Sequence, residues 1–126
     1  MDIEGRRIAN REARAYRESL AYIRGFEEGL DETAPIAGRY LEKRRWIWAI
    51  EKVRSKLELY APNKAQFFCR YFGLDRPLNR RESERARLLR LSSELYVGES
   101  TLYKWREQIL DELVLAATQA GVYHPF

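Results

Sequence analysis

The sequence predicts an all-α protein, and three observations predict it. Only four prolines and seven glycines punctuate the 126 residues, and leucine, arginine, glutamate and alanine dominate the rest, a composition that favours helices. Apolar residues recur at three- and four-residue intervals through most of the chain, the period of one helix face. The breaks between these stretches hold proline, glycine and capping residues, the usual marks of helix ends. The expected organisation is a helical extension over residues 1–60, an oligomerisation or partner-binding region. A helix-turn-helix domain over 61–126 follows it.

Residues 1–5 are expected to be loose. From Arg6 to Phe26, Ile8, Ala13, Tyr16, Leu20 and Ile23 form one broad stripe, and Gly25 and Gly29 mark its fraying end. Residues 27–34 read as a polar connection. Pro35 suits the first turn of the next helix, because its missing N–H would have had no partner there; Asp31 or Thr33 would cap it. That helix should run to about Leu59, with Ile36, Tyr40, Ile47, Ile50, Val53 and Leu57 on one face. Trp46 and Trp48 sit two apart, so they cannot face the same way: one belongs to the core, the other to an interface or to solvent.

Tyr60, Ala61 and Pro62 break the long helix, and a short one follows from about Asn63 to Phe72. Phe67, Phe68, Tyr71 and Phe72 are four aromatics in six residues. Each buried phenylalanine contributes roughly 1.5–3 kcal/mol, so this is a core helix. Gly73 would close it in a left-handed conformation, with Leu74 tucked back. Asn79 and Glu82 make a capping-box-like start for a helix from Arg80 to Leu95 that turns Leu88, Leu91 and Leu95 inward. After a turn at Tyr96, Val97 and Gly98, a last helix opens at Glu99 and runs to Gln119 or Ala120, where Gly121 ends it.

The stretch Leu89–Ile109 carries the functional signal. Leu91 and Leu95 share a face of the first helix; Leu102, Trp105 and Ile109 share a face of the second. Val97 would plug the corner, small Ser92 lets the helices approach, and Gly98 suits the reversal and the N-cap. This leaves Glu99, Ser100, Tyr103, Lys104 and Gln108 on the outer face of the second helix, flanked by Thr101 and Arg106. Such side chains suit DNA: hydroxyls, amides and cations meet phosphates and base edges. The N-terminal turns of such a helix normally enter the major groove. Ser100 and Lys104 would read bases; Thr101, Tyr103 and Arg106 would hold phosphates.

The net charge is +4. Residues 70–90 carry the whole excess, with Arg70, Arg76, Arg80, Arg81, Arg85, Arg87 and Arg90 against Asp75, Glu82 and Glu84. Arginine is the cation best matched to phosphate, and Arg80, Arg81, Arg85 and Arg87 are the expected backbone contacts. Helix-surface pairs Arg81–Glu84 or Glu82–Arg85 are the competing use of these charges. One cysteine, Cys69, forbids an internal disulfide, and it reads as a buried small side chain. One histidine, His124, allows no His-based catalytic pair and no ordinary zinc site. No phosphate-cradling glycine loop is present, so no enzyme, metal or cofactor is expected. The charged N-terminus lacks the apolar core of a secretory signal, and no run reaches a membrane span of ~20 apolar residues. A cytoplasmic location and no membrane contact are the expectation.

The segment LSSELYVGESTLYKW is similar to the helix-turn-helix of sigma-factor region 4 and related regulators, whose pattern is roughly I-A-x-x-L-x-V-S-x-S-T-V-Y-x-W. Leu91 and Ser92 stand at I-A; Leu95, Val97, Ser100, Thr101, Tyr103 and Trp105 match directly; Leu102 stands at V. Tyr96 and Gly98 depart from it. With the upstream FFCRYFGLD, the likeness covers about residues 62–118. The order of segments resembles phage-encoded transcription regulators of the RinA/ArpU type. The resemblance implies a sequence-specific regulator in a bacterial host, with double-stranded DNA as partner, contact with RNA polymerase, and a homo-oligomer through the N-terminal helices. Small subunits of phage packaging terminases also join a helix-turn-helix to helical oligomerisation segments, and assembly into a ring would mark that function. A helical interaction protein without DNA binding, anchored through Trp46 or Trp48, is the remaining alternative; absence of a duplex shift at low salt would mark it.

Overall fold

The computed structural model describes residues 2–29 and 34–125, at 34–37 the backbone alone. All regular structure among the described residues is helical: α1 (Ile3–Arg14), α2 (Tyr16–Gly29), α3 (Ala34–Tyr60), α4 (Pro62–Phe72), α5 (Glu84–Leu95) and α6 (Glu99–Gln119). The fold class is the expected one. None of these helices is long and apolar enough to cross a membrane.

Residues 2–5 are not loose, and Met1 lies outside the described residues. The Asp2 carboxylate caps α1, accepting from the Gly5 N–H at 2.7 Å. It also accepts from the Tyr123 hydroxyl at 2.7 Å. The C-terminal tail therefore folds back onto α1, after Gly121 (φ 77°) reverses the chain beyond α6. Both hydrogen bonds favour the charged carboxyl and lower the Asp2 pKa, the Gly5 amide most.

The single N-terminal helix expected from the stripe is two helices. They join at Ala15 (φ −92°, ψ 7°), outside helical geometry. No glycine or proline marks this corner. It arises because the two helices have different partners. α1 buries Gly5, Ala9 and Ala13, small residues four apart that allow close approach, and packs mainly on α6. α2 packs on α3. It extends helix through Glu27, Glu28 and Gly29, where a connection was expected. The caps expected from Asp31 and Thr33 lie outside the described residues, as does the side chain of Ile36.

α3 is close to its expected span. Trp46, Ile47, Ile50, Val53 and Leu57 are buried, whereas Trp48 and Leu41 are exposed. The two tryptophans divide as their spacing requires. Pro62 occupies the first turn of α4, and Gly73 ends it at φ 73°. A Cβ at Gly73 would stand 2.7 Å from Leu78 Cγ, so both backbone and space demand glycine. Phe67, Phe68, Tyr71 and Phe72 are all buried. Cys69 is only half-buried, and desolvation raises its thiol pKa.

The start of α5 differs from expectation. Ser83, not Asn79, is its N-cap, accepting from the Ala86 N–H at 3.0 Å. Asn79 instead closes a turn, accepting from the Arg81 N–H at 3.0 Å, and Glu82 N–H donates to the Asn79 carbonyl. Arg80 and Arg81 thus lie before the helix, not on it. The Glu82 carboxylate does not return to Asn79; it takes two hydrogen bonds from Arg90, at 2.7 and 3.0 Å.

One apolar cluster spans the chain. Ala9 and Ala13 of α1, Ile50 and Val53 of α3, the α4 aromatics, and Ile109, Leu110 and Leu113 of α6 all belong to it. The core does not part at residue 60. Along the rim of α1 and α6, Arg6 holds Asp111 through Nε and Nη2 at 2.7 Å and Glu107 through Nη1.

The carboxyls of Asp2, Glu4, Glu82 and Asp111 are all held below their ordinary range, by the Gly5 amide, Arg7, Arg90 and Arg6 respectively. A group whose folded pKa is depressed stabilises the fold fully above its unfolded value and stops doing so as pH falls through the folded one. Stability should therefore be level near neutrality and drop below about pH 4. Denaturant midpoints against pH check this, and Asp111→Asn should flatten part of the acid limb.

Candidate nucleic-acid interface

α5 and α6 are joined by Tyr96, Val97 and Gly98. The joint is held locally. The Tyr96 N–H and Val97 N–H both donate to the Ser92 carbonyl. The Ser92 hydroxyl donates to the Val97 carbonyl at 2.5 Å. Ser92 thus ties the corner as well as making room. Val97 packs partly buried against the core between buried Leu95 and Leu102. The left-handed residue is Tyr96 (φ 57°, ψ 43°), with its side chain 95% exposed. Gly98 caps α6 in extended geometry (φ −63°, ψ 150°) without a side-chain bond. Glycine is therefore not needed at 98 for its backbone freedom; the strained backbone sits two residues earlier.

The first two turns of α6 project outward. Glu99, Ser100, Thr101, Tyr103 and Lys104 are exposed, and so is Gln108 one turn later. Within this segment Leu102 is fully buried, and Trp105 is half-buried with its ring edge-on to Phe67 at 6.1 Å. The apolar anchors hold the helix while the polar ridge faces solvent, with Ser100 and Lys104 one turn apart on it.

Arg106 is not a free phosphate ligand. It is half-buried, its Nε donates to the Tyr71 hydroxyl at 3.3 Å and its Nη1 to Glu107 at 3.1 Å. Gln108 remains on the outer face, but its amide oxygen accepts from Lys64 at 2.7 Å. Beyond the ridge α6 turns acidic with Glu107, Asp111 and Glu112. Arg6 engages the first two and Lys56 the third, at 3.3 Å. Their charge is answered within the fold.

The arginine stretch divides. Arg80, Arg81 and Arg85 are exposed and, with Arg76, have no carboxylate within 4.0 Å among the described residues. Arg87 is 3% exposed. Its guanidinium lies over the Tyr71 ring at 5.4 Å, and Nη1 donates to the Tyr71 carbonyl at 3.3 Å. It cannot reach a phosphate from there, which corrects the expectation for this residue. Arg70 and Arg90 share Glu94. The helix-surface pairs Arg81–Glu84 and Glu82–Arg85 do not form: Glu84 pairs with Arg14 of α1 at 2.9 Å, and Glu82 with Arg90. α5 has 12 residues. At a rise of 1.5 Å per residue it puts Arg85, its second residue, about 15 Å from the end that meets the joint, and Arg80 and Arg81 precede it.

A groove of about 760 Å³ opens elsewhere, between α3, α4, the turn after α4 and the second half of α5, over Arg54, Gln66, Cys69, Asp75, Arg76 and Arg90. None of its lining residues belongs to α6. No cluster of three His, Cys, Asp or Glu able to hold a metal occurs among the described residues. The chain matches no protein-family model, no curated protein and no solved structure.

Sequence reasoning did not find Lys64 or Arg6 beside α6. The residue types gave no signal, because both contacts join segments far apart in the chain.

Two predictions test the joint and the arginines. Tyr96→Gly should raise stability by about 1 kcal/mol, since a left-handed L-residue costs about 1–2 kcal/mol and its exposed ring offers little in return; chemical denaturation measures it. Arg87→Ala should cost about 1–3 kcal/mol of stability by leaving the buried Tyr71 carbonyl unpaired. Arg85→Ala should not alter stability measurably.

Proposed function

We propose that the protein is a sequence-specific DNA-binding transcription regulator that enters the major groove of double-stranded DNA with the N-terminal turns of α6. One observation carries this reading: the ridge Glu99, Ser100, Thr101, Tyr103 and Lys104 is exposed as a unit, while the same helix is fixed by buried Leu102, Ile109, Leu110 and Leu113. A side chain that reads bases must be outward, polar and rigidly mounted, and this segment meets all three conditions. Ser100 and Lys104 are the base-reading pair. Thr101 and Tyr103 contact phosphate, and Glu99 either accepts from a cytosine amine or steadies the helix N-terminus.

The resemblance of the Leu91–Trp105 pattern to sigma region 4 supports the same use and extends it to a phage-type regulator acting beside RNA polymerase. Trp48 and Leu41, exposed and seven residues apart on α3, support self-association through the N-terminal helices. A packaging-terminase subunit would use the same ridge within a ring of many copies; light scattering on the pure protein separates a ring from a monomer or dimer.

Lys104→Ala should weaken binding to the cognate site by about 1–3 kcal/mol, with little effect on unrelated duplexes. Fluorescence anisotropy on both duplexes measures the difference, and an equal loss on both would assign Lys104 to phosphate alone. Wild-type affinity should fall steeply between roughly 50 and 200 mM salt; a flat response would exclude an electrostatic duplex interface.

A further inference from the structure

The ridge has two flanks, and their electrostatics differ. On the α1 flank Arg6 meets α6. Nε, Nη1 and Nη2 of its guanidinium are all engaged by Glu107 and Asp111, and its side chain is 17% exposed. Two carboxylates answer its single charge, so this flank presents no net positive charge to a phosphate. On the other flank three lysines line α6 from α3 and α4. Lys64 meets Gln108, Lys56 meets Glu112 and Lys52 meets Gln119. Two of the three partners are neutral amides, and Lys64 and Lys52 have no carboxylate within 4.0 Å among the described residues.

Lys64 is the most prepared of the three. It is half-buried on α4, and its Nζ is fixed at 2.7 Å from the Gln108 amide oxygen. An ammonium has three donors, so two remain. Burial pushes the Lys64 pKa below its ordinary value and neighbouring Lys56 pushes the same way, against Glu112. An arriving anion would relieve both effects. The position also fits a duplex. From Ser100 to Gln108 α6 advances about 12 Å, close to the major-groove width of about 12 Å. A helix that enters the groove by its first turns would therefore bring Gln108 and Lys64 to the rim, where the phosphates run.

Resting on the DNA-binding reading above, we infer that Lys64 grips the phosphate backbone at one rim of the groove, while Lys56 beside it stays on Glu112. The duplex backbone then passes over the α3–α4 flank of α6 and not over α1. Lys52 lies one further helical turn along α3, beyond the grip.

The test measures binding of the full chain to a random-sequence duplex by anisotropy across roughly a fourfold salt range, from 50 to 200 mM. Wild type, Lys64→Gln, Lys56→Gln, Lys64→Arg and Lys52→Gln are compared, with circular dichroism confirming the fold of each. Each lost phosphate contact lowers the salt exponent by about 0.9, which makes the loss of affinity over that range about threefold smaller than for wild type. Lys64→Gln should show this, equally on all sequences; Lys64→Arg should restore the wild-type exponent, and Lys56→Gln and Lys52→Gln should retain it. A wild-type exponent in Lys64→Gln would overturn the grip while leaving groove binding by the ridge intact. An equal drop for Lys52→Gln would overturn it too, because a diffuse positive field would then account for the effect. If the wild type itself binds no duplex, the DNA-binding reading fails and takes this inference with it.

Discussion

The last three turns of α6 are clamped between α1 and α3, and the outward ridge at its other end depends on that clamp. Ile109, Leu110 and Leu113 are buried almost completely, and Ala116 and Ala117 let the neighbouring helices close in. Each large apolar side chain contributes roughly 1.5–3 kcal/mol through burial. Hydrophobic burial has no direction, so something else must set the rotation of α6. The Arg6 fork on Glu107 and Asp111 serves that purpose. Partly exposed ion pairs add little stability, but a bidentate arginine is geometrically exacting and fixes which side of α6 meets α1.

A second set of polar contacts braces the joint. The Tyr71 carbonyl accepts from Arg87 of α5, and its hydroxyl accepts from Arg106 of α6. Arg106 also reaches Glu107, which Arg6 holds from α1. One tyrosine on α4, stacked on Phe67 at 5.1 Å, thus links the two helices of the motif to the rest of the core. Two of the cations that look like phosphate ligands are braces that hold α5 and α6. A rigid mount is what base recognition requires, since a misplaced donor loses its acceptor.

Much of this was legible along the chain. Pro62, Gly73 and Gly121 mark helix ends whatever the tertiary structure, because proline lacks a donor and glycine accepts positive φ. The α5–α6 joint was legible because Leu91, Leu95, Val97, Leu102 and Ile109 fix both faces and the corner. The corner at Ala15 was not: no residue there breaks a helix, and the break comes from α1 and α2 serving different partners. The start of α5 was misplaced because both Asn79 and Ser83 can cap. The contest is decided by Glu82, which Arg90 captures two turns away, and by Glu84, which Arg14 captures across the fold. Arg87 was misassigned because arginine is rarely buried; the carbonyl and ring of Tyr71 and the Glu82 carboxylate, 3.8 Å from Nε, explain why this one is. Lys64 escaped notice because its partner is 44 residues away.

The ridge and the braces together make a specific claim about where a duplex touches the chain. Titrating isotopically labelled protein with duplex DNA and following backbone amide shifts tests it most directly. The expected result is perturbation concentrated from Gly98 to Gln108 and around Lys64, with Leu113 to Ala117 still. Perturbation centred on the α2–α3 pair or on the groove over Cys69, with the start of α6 unmoved, would contradict it.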